Sequence, residues 1–377
     1  MKSFSWTLVS SLALTAVASP VPDSLRPYLA RRGVYFDTIV SRNLNAIEAD
    51  LARNNALEAV TAEEVTQLDF YAEYAGASYC NSEAPVGSTV TCAENVCPEV
   101  TAAGAVVTAT FAGKVTDIQG FLSTDPKNKV IVLSFRGSHS IRNWITNFVF
   151  LQEPCGLVFG CLLHAGFAGA YKEIAGPLTT ALAAATKANP DYKIVFTGHS
   201  LGAAIATVAA AYERAAGHAV DLYTYGSPRV GNRAFVDFVT KQAGFEYRVT
   251  HLADPVPRLP PIFANYRHTS PEYWLSTGDA DTVDYTAADI KVCDGYASIQ
   301  CNAGQLGLDI DAHSNYFERI GACGPDGTPF KKRAAADVDA TVAADGPTAS
   351  DPELEAMVNE YAKQDIEAAK SLNDIWG

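Results

Sequence analysis

Residues 192–216 read YKIVFTGHSLGAAIATVAAAYERAA. Tyr192 to Thr197 is a short run of β-branched and aromatic residues, the mark of a buried strand. Leu201 to Ala216 is rich in alanine, the strongest helix former. Between them stands Gly198-His199-Ser200-Leu201-Gly202, a G-x-S-x-G pattern. Placed where a strand runs straight into a helix, that pattern predicts a tight turn that lifts a serine hydroxyl above the sheet edge. Gly198 and Gly202 suit such a turn because it leaves no room for β-carbons, and Ala203 and Ala204 let the helix sit close. The helix N-terminus also favours negative charge developing beside it. His199, locked within the turn, is expected to pack inward. Ser200 is therefore the candidate nucleophile, and a purely structural turn is the plainer alternative.

Outward from this unit the chain alternates. Lys129 to Phe135 (KVIVLSF) reads as a buried strand, Ala165 to Lys187 as a helix and Val220 to Tyr225 as a strand. Asn232 to Gln242 reads as a helix and Phe245 to Thr250 as a strand. Strands alternating with helices of this length predict an α/β fold with a mostly parallel sheet covered on both faces.

A serine hydroxyl needs a base, and the base needs a carboxylate to orient it. Behind an elbow of this kind the chain order is serine, then Asp or Glu, then histidine. Asp254 sits just past a strand end in HLADPVPRLPP, on a loop stiffened by Pro255 and Pro257. Its plainer reading is a turn-forming aspartate before proline. His218 precedes any candidate acid; His268 and His313 both follow Asp254, and pattern alone does not separate them. An oxyanion needs two aimed donors. One is the N–H of Leu201; the turn Gly137-Ser138, after the strand ending at Phe135, offers the second through Ser138. Beyond that turn, IRNWITNF sets Ile141, Trp144, Ile145 and Phe148 on one face of a short amphipathic helix. Periodicity alone makes this a core-facing helix.

The N-terminus has a charged Lys2, an apolar stretch from Phe4 to Val17 and a small-residue site Ala16-Val17-Ala18, which reads as a secretory signal over residues 1–18. Eight cysteines suit an oxidising compartment. Short loops favour Cys92–Cys97, Cys155–Cys161 and Cys293–Cys301, which leaves Cys80 with Cys323. The cysteine span marks a folded domain, set at 61–323. Residues 19–60, with Arg31-Arg32, read as an N-terminal propeptide. Residues 324–377 read as a C-terminal extension processed near Lys331-Lys332-Arg333, with a processing protease as partner. Ser350-x-x-Glu353 followed by Leu354, Val358 and Tyr361 predicts an amphipathic helix in that tail. The net charge of −14 argues against nucleic acid as a partner. His and Cys spacing resembles no zinc site.

The segments VLSFRGSHSIRNWITN, VFTGHSLGAA, YTYGSPRVGN, RVTHLADPVPRLPP, RHTSPEYWL and DIDAHSNYF together resemble the secreted triacylglycerol lipases of filamentous fungi, the class 3 lipase family. The resemblance runs from about Leu68 to Cys323. The segment CDGYASIQCNAGQLGLDIDAH and the C-terminal extension look most like the Fusarium-type extracellular lipases. The resemblance implies an α/β-hydrolase fold with a helical lid and no metal or organic cofactor. It carries the family's serine to Ser200, its aspartate to Asp254 and its histidine, which precedes a Tyr-Phe pair, to His313. The oxyanion residue falls on Ser138 and the lid on Ile141, Trp144, Ile145 and Phe148; the family disulfides match the four pairs above. The implied activity is hydrolysis of acylglycerol esters at a lipid–water interface by a secreted monomer in transient contact with lipid. A soluble-substrate esterase of the feruloyl type, a phospholipase side activity and a catalytically silent lipid-binding protein are the alternatives. Two departures bear on substrate. Ser314 and Asn315, where several relatives carry larger apolar residues, predict a more polar pocket near His313. Leu157, Val158 and Phe159, in the Cys155–Cys161 loop, are expected to add to a lipid-contacting rim.

Overall fold

A computed structural model describes residues 59–138, 141–146, 149–323 and 351–376. The chain divides into two compact units, Met1–Glu58 and Ala59–Gly377. The first lies outside the described residues, and with it the expected signal peptide and nearly all of the expected N-terminal propeptide. Val60, at the end of that segment, is buried in a core cluster of the second unit.

Ten strands appear among the described residues: β1 Val106–Ala112, β2 Gln119–Asp125, β3 Val130–Phe135, β4 Gln152–Pro154, β5 Leu162–His164, β6 Lys193–His199, β7 Val220–Tyr225, β8 Glu246–His251, β9 Glu272–Leu275 and β10 Ile290–Cys293. The α-helices are α1 Ala62–Asn81, α2 Pro98–Ala103, α3 Ile141–Thr146, α4 Ala165–Ala188, α5 Leu201–Ala215, α6 Arg233–Thr240, α7 Ile310–Ser314 and α8 Asp351–Trp376. The main sheet runs β1-β2-β3-β6-β7-β8-β9-β10, and β4 and β5 form a separate hairpin. From β3 to β9 its neighbours pair in parallel; β1, β2 and β10 are added antiparallel. Helices cover both faces, which is why β3 (VIVLSF) is buried along its whole length.

On one face α4, α5 and α6 meet the sheet in a cluster that includes Phe167, Ile174, Leu178, Ile205 and Phe235. On the other, α1 lies against the sheet through Leu68, Ala72 and Ala75. α1 starts at a capping box in which Thr61 and Glu64 satisfy each other's backbone N–H groups. The four disulfides are Cys80–Cys323, Cys92–Cys97, Cys155–Cys161 and Cys293–Cys301, the pairs expected from the sequence. Among the described residues no helix is long and apolar enough to cross a membrane.

The register brings the strand ends that matter to one edge. Phe135 of β3 pairs with Gly198 of β6, and His199 pairs with Tyr225 of β7. β8 ends at His251, three residues before Asp254. The turns after β3, β6 and β8 therefore open on the same carboxyl edge, where an open parallel sheet presents its site.

Candidate active site

Ser200 stands between β6 and α5 with φ 56° and ψ −126°, a left-handed backbone that an L residue adopts only when its surroundings force it. The force is packing. A β-carbon on Gly202 would lie 2.1 Å from the carbonyl oxygen of Phe135, so only glycine lets α5 begin this close to β3. A β-carbon on Gly137 would lie 2.9 Å from Ser200 Cβ. The Gly137-Ser138 turn thus presses directly against the serine, and Ser138, half-buried, follows it. Leu201 is the first residue of α5, where backbone N–H groups have no helical partner.

Asp254 and His313 are brought together across the sheet edge. His313 Nδ1 lies 2.8 Å from Asp254 Oδ2. A carboxylate only accepts, so Nδ1 is the donor here, and Nε2 is the nitrogen left to act as a base. Three more contacts hold the acid: Tyr316 donates its hydroxyl to Oδ2, Val256 N–H donates to Oδ1 at 2.8 Å, and Asn302 Nδ2 donates to the Asp254 carbonyl at 3.0 Å. Burial, and then the Asp254 charge, push the Tyr316 phenol well above its usual range, so it stays a donor.

Two further histidines hold the backbone of the third. His199 Nε2 lies 2.8 Å from the carbonyl of His313, and His251 Nδ1 lies 2.9 Å from the carbonyl of Ala312. A carbonyl only accepts, so both rings donate there. Their other nitrogens face the hydroxyls of Tyr79 at 2.7 Å and Tyr285 at 2.8 Å. Burial pushes both imidazoles down, His199 strongly and with a contribution from His313, so both rings are neutral near pH 7. His268, the rival base, is elsewhere. Its Nε2 donates to Pro257 O at 2.6 Å, and burial with nearby Arg248 and Arg229 holds it well below its usual pKa.

Ser200, Asp254 and His313 are each 0% exposed, so the site is shut. Beside the Asp254 loop and α7 lies α3. Ile141 and Ile145 are buried against Val256, Leu259 and Ile310, with Trp144 packed beside them. Phe148 lies outside the described residues. The expected polar pocket next to His313 does not form from Ser314 and Asn315. Ser314 Oγ donates to Ile310 O, and Asn315 Nδ2 donates to Ala280 O and Asp311 O, so these donors are taken up by backbone carbonyls. Of the Cys155–Cys161 loop, Phe159 is fully exposed and Val158 partly so, while Leu157 packs on the main core. The sulfurs of Cys80, Cys92 and Cys323 lie within 4.8 Å of one another, but all are in disulfides and carry no thiolate for a metal.

A serine on a strand-to-helix elbow, at the carboxyl edge of this sheet, defines an enzyme of the α/β-hydrolase fold. The model for "Lipase (class 3)" matches residues 132–264. The secreted mono- and diacylglycerol lipase 1 of Fusarium solani is 44% identical over 364 residues, covering 97% of this chain and 98% of that protein. The crystal structure of a mono- and diacylglycerol lipase from Aspergillus oryzae is 40% identical with a TM-score of 0.66, covering 70% of this chain and 99% of that one. A structure titled for a serine protease triad at the catalytic centre of a triacylglycerol lipase is 30% identical with a TM-score of 0.62, covering 71% of this chain and 99% of that one. The chain belongs to the class 3 lipase family, and like its relatives it is a secreted lipase.

Proposed function

We propose that the protein hydrolyses the carboxylic ester bonds of acylglycerols, with Ser200 as nucleophile, His313 as base and Asp254 as the group that orients it. The observation that carries the reading is the buried Asp254–His313 pair, at 2.8 Å, on the edge where the Ser200 elbow opens. Ser200 Oγ attacks the ester carbonyl as His313 Nε2 takes its proton. The tetrahedral oxyanion is held by the Leu201 N–H and by Ser138; each such donor is worth about 3 kcal/mol. His313 returns the proton to the leaving glycerol oxygen and the acyl-enzyme forms. Water then attacks, His313 again taking and returning a proton, and the fatty acid leaves. Asp254 stays ionised and stabilises the imidazolium in both halves.

Ile141, Trp144 and Ile145 form a lid whose apolar face is covered in water and meets lipid when the site opens. Exposed Phe159 and Val158 form part of the rim that touches the interface. Mono- and diacylglycerols are the first substrates to try, in line with the names of the relatives. The test compares wild type with Ser200→Ala on monoolein, diolein, emulsified triolein, a soluble butyrate ester, a feruloyl ester and phosphatidylcholine. Wild type is expected to cleave the acylglycerols, and the variant to lose about 10⁶-fold in kcat. Activity surviving in the variant rejects Ser200, and turnover of the soluble or feruloyl ester alone rejects the acylglycerol reading.

A further inference from the structure

α8 packs against three segments near the candidate triad: α3, the loop after Asp254, and α7. Its buried Leu354 and Val358 pack in one cluster with Ile141 and Ile145 of α3, Val256 and Leu259 of the loop after Asp254, and Ile310 of α7, which carries His313. Tyr361 sets its ring edge against Phe150, 5.8 Å between centroids, and tilts against Phe263 at 5.9 Å. Two polar side chains fix the placement. Asn359 Oδ1 accepts from Gly307 N–H at 2.7 Å. Asp365, 1% exposed, accepts from Arg229 Nη1 at 2.7 Å, Ile262 N–H at 2.6 Å and Phe263 N–H at 3.4 Å. Arg229 is itself 1% exposed and donates also to the carbonyls of Arg258 and Pro260, on the same loop as Asp254.

The apolar face of α3 is thus held between the Asp254 loop and α8. α3 cannot swing outward without parting from Leu354 and Val358. We propose that the face made by α3, the Asp254 loop and the start of α7 is a docking surface for an amphipathic helix bearing one inward carboxylate, and that the chain's own α8 occupies it and keeps the site shut until it is detached. Resting on the hydrolase reading, this gives the tail a role that the site itself does not require. Residues 324–350, which join α8 to Cys323, contain Lys331-Lys332-Arg333, where a basic-site protease would cut.

The test keeps the whole chain through folding. A specific protease site is placed within residues 334–350, the folded protein is cut, and the released helix is removed by gel filtration, its loss checked by mass. Hydrolysis of a soluble butyrate ester is then compared before and after. The cut form is expected to gain roughly tenfold or more, within the range usual for two coupled elements. A peptide of residues 351–376, at the roughly millimolar level that a short tether supplies, should restore the low rate. The same peptide with Asp365→Asn should need more. The uncut Asp365→Asn chain should show part of the gain without any cleavage. Equal rates with α8 present and absent would overturn the proposal. Inactivity of both forms on every ester would remove the hydrolase reading, and inhibition with it.

Discussion

The region around Asp254 and His313 and the layer formed by α3 and α8 are built from different interactions. Around Asp254 and His313 nearly every contact is directed: Tyr316, Val256 N–H and Asn302 hold the acid, and His199 and His251 hold the carbonyls at His313 and Ala312. The layer of α3 and α8 is mostly apolar side chains, with Asp365 and Asn359 as its polar fixings. Directed hydrogen bonds fix a geometry to within fractions of an ångström, whereas apolar contact tolerates sliding and can be exchanged for contact with lipid. In the proposed mechanism the first must hold its geometry while the second gives way.

The sharpest way to break this contrast is at Asp254. Asp254→Asn is expected to keep the fold, because an amide fills the same space, yet to lower kcat by about 10⁴ through the wrong imidazole tautomer. Retention of more than a tenth of the activity would mean that orientation of His313 does not depend on the acid. Tyr316→Phe removes one of the donors and should cost about tenfold in kcat, the worth of one hydrogen bond to a charged group, with KM unchanged. A change in KM instead would place Tyr316 against substrate. The smallest expected effect lies just beyond the triad region. Burial, and then the charges of Asp69, Glu73 and Asp284, push Glu318 up to about 8. Its folded pKa is raised, so the folded state holds a proton that the unfolded chain has already lost between about 4.5 and 8. Stability from this group is therefore present in acid and fades as pH rises through 8. Glu318→Gln should show a smaller loss of urea stability between pH 5 and pH 8 than wild type. Equal losses would show that this carboxyl titrates normally.

The elbow was readable because strand, turn and helix are contiguous, and local sterics force both the glycines and the strained serine. β3, β6, β7 and β8 were readable as buried runs. β1 was not, because a register shift between Val107 and Ala109 breaks its alternation. β9 and β10, at four residues each, offer too little pattern. Which histidine faces Asp254 was beyond pattern, since His268 and His313 both follow it on irregular chain. The family resemblance pointed to His313, and the fold gives the reason: His268 donates to Pro257 O and His313 to Asp254. Tyr316 served as a landmark beside His313 without a role, and His251 drew no reading at all. Both act through partners far away in sequence. Ser314 and Asn315 misled because polarity in a sequence does not say which way a side chain turns. In the tail, Leu354, Val358 and Tyr361 were legible as one apolar face, but not what they would cover.

The buried pair of Arg229 and Asp365 adds little to the grip of the tail, since both charges give up hydration to meet. What it supplies is register. Along an apolar groove a helix can slip by one turn, about 5.4 Å, with modest loss. Here a slip would strand a carboxylate without a partner, at about 3–5 kcal/mol. The pair works as a notch: it lets α8 sit at one place on the face or not at all. Replacing both residues with apolar ones of similar volume should therefore give a tail that binds no less firmly but no longer stops at a single position.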